Sequence, residues 1–318
     1  MRTSAKHQQG VALLVALLVV ALAVILVAAL LDRGELALAR TRNALRSEQA
    51  EAYAQGLEIY AVQVLVDTQR EGGTDTNASP WATPLPPQPV PGGVIAATMH
   101  DMNGCFNLNN LSGSNGTIWE QRFKVLLTTL AVNPSLADAV SHWLDGNGTS
   151  DDSYYLAQPV PYRASRRNFS QVSELRLVKG VDGETYARLA PHVCALPAGT
   201  SINVNTATVP VLQSLGISQS NAEKIWNNGQ ANYPDLPKFA TAAQLPPESP
   251  LTGLGVKSTY FLARGDIVLD DVPFTFFSLI ERVQGRTSMV ISRSRGSDDA
   301  LIAPAAISAD PARDTTLR

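Results

Sequence analysis

The stretch VALLVALLVVALAVILVAALL, from Val11 to Leu31, decides the fold, because it contains only Val, Ala, Leu and Ile. As a helix these residues would span about 32 Å, the thickness of the hydrocarbon core of a membrane. Arg2 and Lys6 precede the stretch, and Asp32 follows it directly. Since basic residues favour the cytoplasmic side, the sequence predicts a cytoplasmic N-terminus and an exported remainder.

The composition of the whole chain excludes several classes of protein. With 318 residues, 45% of them hydrophobic and 17% charged, the chain is neither disordered nor a polytopic membrane protein. Its net charge of −3 disfavours binding to nucleic acid, and its two cysteines exclude a four-cysteine zinc site. The sequence contains no HExxH, P-loop, GxGxxG or GxSxG motif. Composition and motifs therefore predict no enzyme.

Three fates of the apolar stretch are compatible with the sequence. It can remain as a plain signal anchor, or it can be removed as an ordinary signal peptide at Ala21-Leu22-Ala23. The third fate follows from Gly10, because a short basic leader that ends in glycine before a long apolar helix resembles type IV pilin-like precursors. The resemblance implies that a prepilin peptidase cuts after Gly10 and that Val11 becomes the first residue of the mature chain, where methylation is expected.

Mature position five departs from the pilin-like pattern. Most proteins of this kind carry Glu there, and its carboxylate neutralises the amino terminus of a neighbouring subunit in the filament. Here the position is Val15. A subunit without the carboxylate is tolerable where no neighbour lies above it, so the resemblance implies a place at the filament tip. Lack of this Glu is typical of the minor pseudopilin K of type II secretion systems.

The sequence after the apolar stretch predicts a continued helix and then a loop. Apolar residues recur at helical spacing between Leu45 and Leu65, which favours a helix over residues 32–69. Partner proteins are expected to bind along this helix near Tyr53, Leu57 and Tyr60. Residues 72–93 are rich in Pro, Gly and Ser and predict an exposed loop.

Two groups of strands are predicted on either side of a helical region. Residues 93–101 and 105–109 are expected to be short strands on either side of a turn. The Asn side chains of this hairpin are expected to cap turns. Near the C-terminus the period changes to two, which predicts strands at 260–269, 273–282 and 287–293 in an antiparallel meander.

Three segments resemble the general secretion pathway protein K family: HDMNGCFNLNNL (100–111), QVSELRLVKG (171–180) and INVNTA (202–207). The resemblance implies an α+β pseudopilin fold, in which a long N-terminal helix lies on an antiparallel β-sheet and a large α-helical domain is inserted. The expected divisions are a leader at 1–10, a membrane or filament-core helix at 11–31, the pseudopilin helix, loop and first strands at 32–111, the inserted domain at 112–250, the C-terminal strands at 251–295 and a disordered tail at 296–318.

Two segments of the helical region look alike. Each consists of a Leu-bearing helix, a Gly turn and a second helix, around Gly180-Val181-Asp182 and Gly216-Ile217-Ser218. This order resembles a helix-hairpin-helix repeat, whose DNA-binding form has Gly-x-Gly turns that hold a phosphate. The second glycine is missing from both turns, so the repeat is expected to be a scaffold.

An acidic, Gly-rich loop carries Asp145, Asn147, Asp151 and Asp152. Oxygen ligands on a flexible loop suit Ca²⁺, although the same residues are common in solvated turns. The protein K family has a calcium-binding acidic loop at this place, with Glu where this chain has Asp151. The resemblance therefore implies a calcium site made by these four residues.

Cys105 and Cys194 are the two cysteines of the chain. An exported domain lies in an oxidising compartment, where thiols tend to pair. The sequence predicts a disulfide between them, the alternative being two buried free thiols.

The resemblance implies a structural protein. It would be a single-pass protein of the bacterial inner membrane, with its C-terminal domain in the periplasm, that caps the pseudopilus tip and helps assembly to start. Implied partners are the I-, J- and H-type minor pseudopilins, the major pseudopilin and prepilin peptidase; neither catalysis nor nucleic-acid binding is expected. The alternatives are a membrane-anchored periplasmic hydrolase, which needs a cleft of perturbed acids, and a helix-hairpin-helix DNA-binding protein of a competence-type pilus, which needs basic turns.

Overall fold

The structure, a computed structural model, describes five ranges of the chain: 6–113, 115–148, 150–247, 249–283 and 288–296. Half of the expected leader and nearly all of the expected disordered tail lie outside these residues. The chain divides into two units, the first ending at Tyr53 and the second beginning at Ala54.

The described elements comprise α-helices, short 3-10 helices and β-strands. The α-helices are α1 Lys6–Glu71, α2 Gly116–Thr129, α3 Leu136–Leu144, α4 Asp152–Leu156, α5 Gly183–Leu189, α6 Val209–Gln213, α7 Gln219–Trp226 and α8 Leu236–Ala242. The 3-10 helices are Pro80–Ala82, Met102–Gly104, Leu108–Ser112, Val172–Leu177, Ala190–His192 and Asn227–Gly229. The strands are β1 Leu85–Val90, β2 Gly93–Asp101, β3 Phe106–Asn107, β4 Val193–Cys194, β5 Ile202–Asn203, β6 Leu254–Gly255, β7 Tyr260–Leu269, β8 Val272–Glu281 and β9 Met289–Arg295.

The described part of the first unit is helical, and its segment from Val11 to Leu31 is apolar. Every Val, Leu and Ile side chain between Val11 and Leu31 is exposed, at 53–69%. The most apolar window of α1 has a mean hydropathy of 3.4, and none of it is buried. Within the described ranges, α1 is the one helix long and apolar enough to cross a membrane. Such a surface is stable in lipid or against other helices, as the sequence predicts.

The second unit is built on an antiparallel sheet of five strands in the order β1-β2-β7-β8-β9. β2 pairs with β7 from Gly93, opposite Leu269, to Asp101, opposite Phe261. The chain between these neighbouring strands contains α2 to α8, so the helical region is an insertion into the sheet's connectivity. The predicted α+β fold is confirmed.

Within the second unit, α1 packs on this sheet. Leu57, Ala61 and Leu65 are 6% exposed or less. Gly265 of β7 permits the approach, because a Cβ there would lie 3.0 Å from Leu57 Cδ1. Further along, Ala61 and Leu65 share an apolar cluster with three large side chains: Trp81, Phe261 and Ile280.

The inserted region has a separate apolar core. Its aromatic residues make direct ring contacts: Phe106 stacks on Phe123 with centroids 5.2 Å apart, and Trp143 meets Tyr155 edge-on at 5.4 Å. Aliphatic side chains from the surrounding helices complete this core, among them Leu126, Leu127, Val140, Leu175, Val211 and Leu212.

The prediction of a loop over residues 72–93 is wrong in part. Residues 80–82 form a 3-10 helix with Trp81 buried, and β1 begins at Leu85. β1 is an edge strand that contains Pro86, Pro87 and Pro89. Proline lacks an amide hydrogen and is therefore tolerated in a strand at a sheet edge, which is why composition misidentified this segment.

The predicted hairpin between residues 93 and 109 is also wrong. β2 is a strand, but it pairs with β1 and β7. The 3-10 helix Met102–Gly104 redirects the chain, and Asp101 caps it by accepting a hydrogen bond from the Asn103 amide at 2.7 Å. β3 then pairs in parallel with β4, in the inserted region.

The C-terminal meander is confirmed. β7 has the predicted bounds, β8 begins one residue earlier than expected, and both neighbours of β8 are antiparallel to it. β9 runs from Met289 to Arg295. The predicted start of this strand, Thr287, lies outside the described residues.

The two similar segments of the helical region share one turn geometry. Gly180 and Gly216 have φ angles of +85° and +88°, a conformation that favours glycine. α5 and α7 follow these turns, but the element before Gly180 is a 3-10 helix and not an α-helix. A helix-hairpin-helix repeat stays a prediction.

Glu58 of α1 connects the helix to the sheet and is expected to stabilise the fold. Its carboxylate accepts hydrogen bonds from Arg293 at 2.7 Å and from Ser278 at 2.9 Å. Glu58→Gln should lower the free energy of unfolding by about 1 kcal/mol, because Arg293 is largely exposed and water screens the pair. Glu184→Gln, which breaks an exposed pair with Arg188, is the control and should change stability less.

The same contact predicts a dependence on pH. The hydrogen bond from Arg293 lowers the pKa of Glu58 despite its partial burial. The stabilisation of the fold by this pair is therefore fully present above the pKa of an unfolded Glu. It is lost as pH falls through the lower pKa of Glu58 in the folded protein. Denaturant unfolding measures the difference in free energy of unfolding between wild type and Glu58→Gln. This difference should be smaller near pH 3 than at pH 7; a difference independent of pH would contradict the prediction.

Candidate functional site

The proposed processing site lies in an exposed apolar helix. Gly10 and Val11 both belong to α1. Val11 and Val15 are 61% and 53% exposed, so both would face lipid or a neighbouring helix. The first carboxylate after Gly10 is that of Asp32. The apolar segment therefore carries no group that could neutralise the amine of an adjacent subunit.

The exposed face of α1 in the second unit differs from the predicted partner surface. Leu57 cannot contact a partner, because it is buried against β7. Tyr60 is 47% exposed, as a partner surface requires, and the neighbouring Ile59 is 70% exposed. Burial therefore excludes Leu57 from the predicted surface, and partner binding along α1 stays a prediction.

Cys105 and Cys194 are joined by a disulfide in the structure, with Cα atoms 5.9 Å apart. Cys194 belongs to β4, and Cys105 directly precedes β3. The sulfur atoms lie in an apolar cluster with residues of the inserted region and of the sheet: Met102, Leu196, Tyr260, Leu262 and Phe277. The bridge therefore lies where the inserted region meets the sheet.

Two asparagines of the NLNNL segment bind backbone across long sequence distances. Asn107 caps the following 3-10 helix by accepting from the Asn109 amide, as predicted, but it also accepts from the Leu196 amide at 3.0 Å. Asn109 accepts from the Phe169 amide at 2.7 Å and donates to the Leu196 carbonyl at 2.8 Å. Both side chains are 2% exposed or less.

A side-chain amide both donates and accepts, so it can replace a strand partner for such backbone segments. The Asn110 side chain likewise accepts from the Gly199 amide and donates to the Thr200 carbonyl, both at 2.8 Å. The sequence indicated the turns these asparagines cap but gave no sign of the segments they hold.

Asp101 forms a second buried junction, which the sequence did not indicate. At the end of β2, its carboxylate accepts from Ser258 Oγ at 2.6 Å and Thr206 Oγ1 at 2.5 Å. Asn203 Nδ2 donates to it at 3.1 Å. Burial raises the pKa of Asp101, and the hydrogen bonds from Ser258 and Thr206 oppose that rise. Strand β2 is thus bound through one carboxylate to β5, to the turn that follows β5 and to the segment just before β7.

Asp75 continues this junction towards the sheet. Arg282 donates to both of its carboxylate oxygens, and Trp81 Nε1 donates to one of them at 3.2 Å. The Ser258 amide donates to the other at 2.8 Å. Since Asp75 and Arg282 are nearly buried, loss of either partner would leave an uncompensated charge.

The four predicted calcium ligands are not brought together. Asp145 Oδ1 accepts from the Asn147 amide at 3.0 Å, which closes a local turn. Asp151 lies 2.5 Å from Lys179 Nζ and 2.9 Å from His142 Nδ1.

Asp152 pairs with Arg166 at 2.5 Å. Basic groups therefore hold two of the three carboxylates that were expected to bind a metal, Asp151 and Asp152.

This arrangement does not fit a calcium site. Ca²⁺ takes six to eight oxygen ligands. In the described parts of the chain, no group of three or more His, Cys, Asp or Glu residues is placed to hold a metal ion. Calcium binding stays a prediction without support from this geometry.

Comparison with known proteins agrees with the resemblance of the sequence segments. A family model described as "Type II secretion system (T2SS), protein K" matches residues 104–198. That range contains the NLNNL segment, both cysteines and the acidic loop.

Relatives of known name match most of the chain. The type II secretion system protein K of Pectobacterium carotovorum subsp. carotovorum is 33% identical, over 91% of this chain and 97% of that protein. The protein of the same name from Pseudomonas aeruginosa is 34% identical, over 92% of this chain and 94% of that protein.

One solved structure has the same fold. It is the GspK-GspI-GspJ complex from the type 2 secretion system of enterotoxigenic Escherichia coli, with a TM-score of 0.73 and 28% identity. The match covers 81% of this chain and 99% of the matched chain.

Proposed function

The chain belongs to the type II secretion system protein K family and is a minor pseudopilin, and we propose that it caps the tip of a periplasmic pseudopilus. Val15 is the observation that carries this proposal. The role is structural: the exposed apolar part of α1 anchors the precursor in the inner membrane and later enters the filament core. Prepilin peptidase removes the leader before assembly.

The position of the chain follows from pairing between charges. A subunit in the middle of the filament needs a carboxylate for the amine of the subunit above it, because an unpaired buried charge is costly. This chain has no carboxylate between Val11 and Leu31. The amine of its own mature N-terminus, at Val11, can pair with a Glu of the subunit beneath. One such subunit is tolerated per filament, at the upper end.

The inserted region supports the same position. It connects β2 to β7 and contains seven of the eight described α-helices, α2 to α8. So large an insertion would crowd a regular helical lattice, whereas a terminal subunit has free space around it. The tip complex would contain the I- and J-type minor pseudopilins, in line with the components named for the E. coli structure, with H-type and major pseudopilins beneath.

The stoichiometry of the complex tests this proposal. We expect a complex of fixed composition with one copy of this chain when the full chain is purified with its minor pseudopilin partners. Light scattering in detergent, corrected for the bound detergent, measures the copy number. Two or more copies per complex, or a homopolymer, would contradict the proposal.

Partner binding is expected to depend on the exposed face of α1. Ile59→Asp should weaken binding to an I-type partner at least tenfold, because it places a charge in an apolar helix contact. The melting temperature should not change, since Ile59 is 70% exposed in the isolated chain.

Val160→Asp is the matched control, since it adds the same charge in place of an apolar side chain that is 79% exposed and lies outside α1. It should bind with wild-type affinity. Binding can be measured by calorimetry with both proteins in detergent. If Ile59→Asp also binds with wild-type affinity, the contact lies elsewhere.

A further inference from the structure

We infer that basic side chains of the chain itself replace calcium in holding the acidic loop. Asp151 is 8% exposed, and both of its carboxylate oxygens are engaged, one by Lys179 Nζ and the other by His142 Nδ1. Asp152, the next residue, is engaged by Arg166. Three basic groups from three places in the sequence thus converge on two adjacent carboxylates.

The backbones of Lys179 and Arg166 are hydrogen-bonded to the helices on either side of the loop. The Lys179 amide donates to Tyr155 Oη at 3.2 Å, and Tyr155 lies in α4, which begins at Asp152. The Arg166 amide donates to the Trp143 carbonyl at 2.9 Å, near the end of α3. The ammonium and guanidinium groups are therefore parts of a built arrangement and not surface groups in chance contact.

This arrangement leaves little place for a divalent cation. A metal ion on Asp151 would lie beside the Lys179 ammonium, and like charges repel strongly at such distances. The metal would have to displace Lys179 and His142 and then find further oxygens, while Asp152 remains paired with Arg166. Asp151 and Asp152 are thus neutralised by the chain's own basic groups, and the fold of the loop does not depend on calcium.

Thermal unfolding of the full-length chain in detergent tests this inference. We expect the same melting temperature in millimolar calcium chloride and in excess chelator, for wild type and for Asp151→Asn. A ligand that binds the native state must raise the melting temperature. A calcium-dependent rise in wild type that disappears in Asp151→Asn would overturn the inference. A rise that disappears in Asp145→Asn would overturn it as well. A rise that persists in both Asp151→Asn and Asp145→Asn would place the metal away from this loop and support the inference.

A second set of variants tests the basic groups directly. Lys179→Met should lower the melting temperature by several degrees, whereas Lys238→Met should not, because Lys238 is exposed and 4.0 Å from its partner Asp235. In a chain that already carries Asp151→Asn, Lys179→Met should lower the melting temperature less than it does in wild type, since the two residues act as a pair. Equal, negligible effects of Lys179→Met and Lys238→Met would overturn the inference. If Lys179→Met does not fold, the calcium comparison on wild type still decides.

Discussion

Replacing Gly10 with valine should abolish maturation, so that the unprocessed precursor accumulates in the membrane. The peptidase has to fit the backbone closely around the residue before the cut, and a branched side chain there obstructs it. In the wild type, mass spectrometry of the mature protein should find Val11 as the first residue. The expected effect is a complete loss of the mature species and, with it, of assembly.

Gly34→Val is the matched control for this variant. Gly34 also lies in α1, and a Cβ built there meets no atom within 4 Å. This protein should mature normally, which separates the effect of the cleavage site from that of a valine in the helix. Normal maturation of Gly10→Val, or a wild-type N-terminus near Val24, would show that ordinary signal-peptide cleavage operates.

Removing the bridge between Cys105 and Cys194 should cause the largest loss of stability. The cysteines are separated by 89 residues. Closing a loop of that size restricts the unfolded chain, which the chain-entropy model equates with about 4–5 kcal/mol. Cys105→Ala combined with Cys194→Ala should lower the free energy of unfolding by roughly this amount, measured by denaturant titration of the full chain in detergent.

Wild-type protein under reducing conditions is the control for the double variant. Both should unfold at similar denaturant concentrations, well below that of oxidised wild type. Mass spectrometry of unreduced protein, with alkylation of free thiols, identifies the pairing independently. Two alkylatable thiols, or a double variant as stable as oxidised wild type, would contradict the prediction.

The sequence correctly predicted those helices and strands that are determined by residues within a single segment. The apolar stretch from Val11 to Leu31 and the apolar, strand-favouring residues of β7 and β8 each lie within one segment, so the local sequence was sufficient. The partners of β2 depend on a strand that follows the whole inserted region. No local pattern specifies such a pairing, and the nearby hairpin was predicted instead.

The acidic loop shows the same limit at the level of side chains. Composition identified Asp151 and Asp152 as unusual, but Lys179 and Arg166 follow them by 28 and 14 residues. Only the fold brings these bases to the carboxylates. Similarly, the burial of Asp101 depends on Ser258 and Thr206, which are distant in sequence.

The position of the chain in the filament is the central claim, and one measurement tests it directly. A single label on the periplasmic part of the full-length protein can be imaged by electron microscopy on assembled pseudopili. We predict one label per filament, always at the same end, because Val15 leaves no carboxylate for a subunit above. Labels distributed along the filament length would contradict the tip assignment.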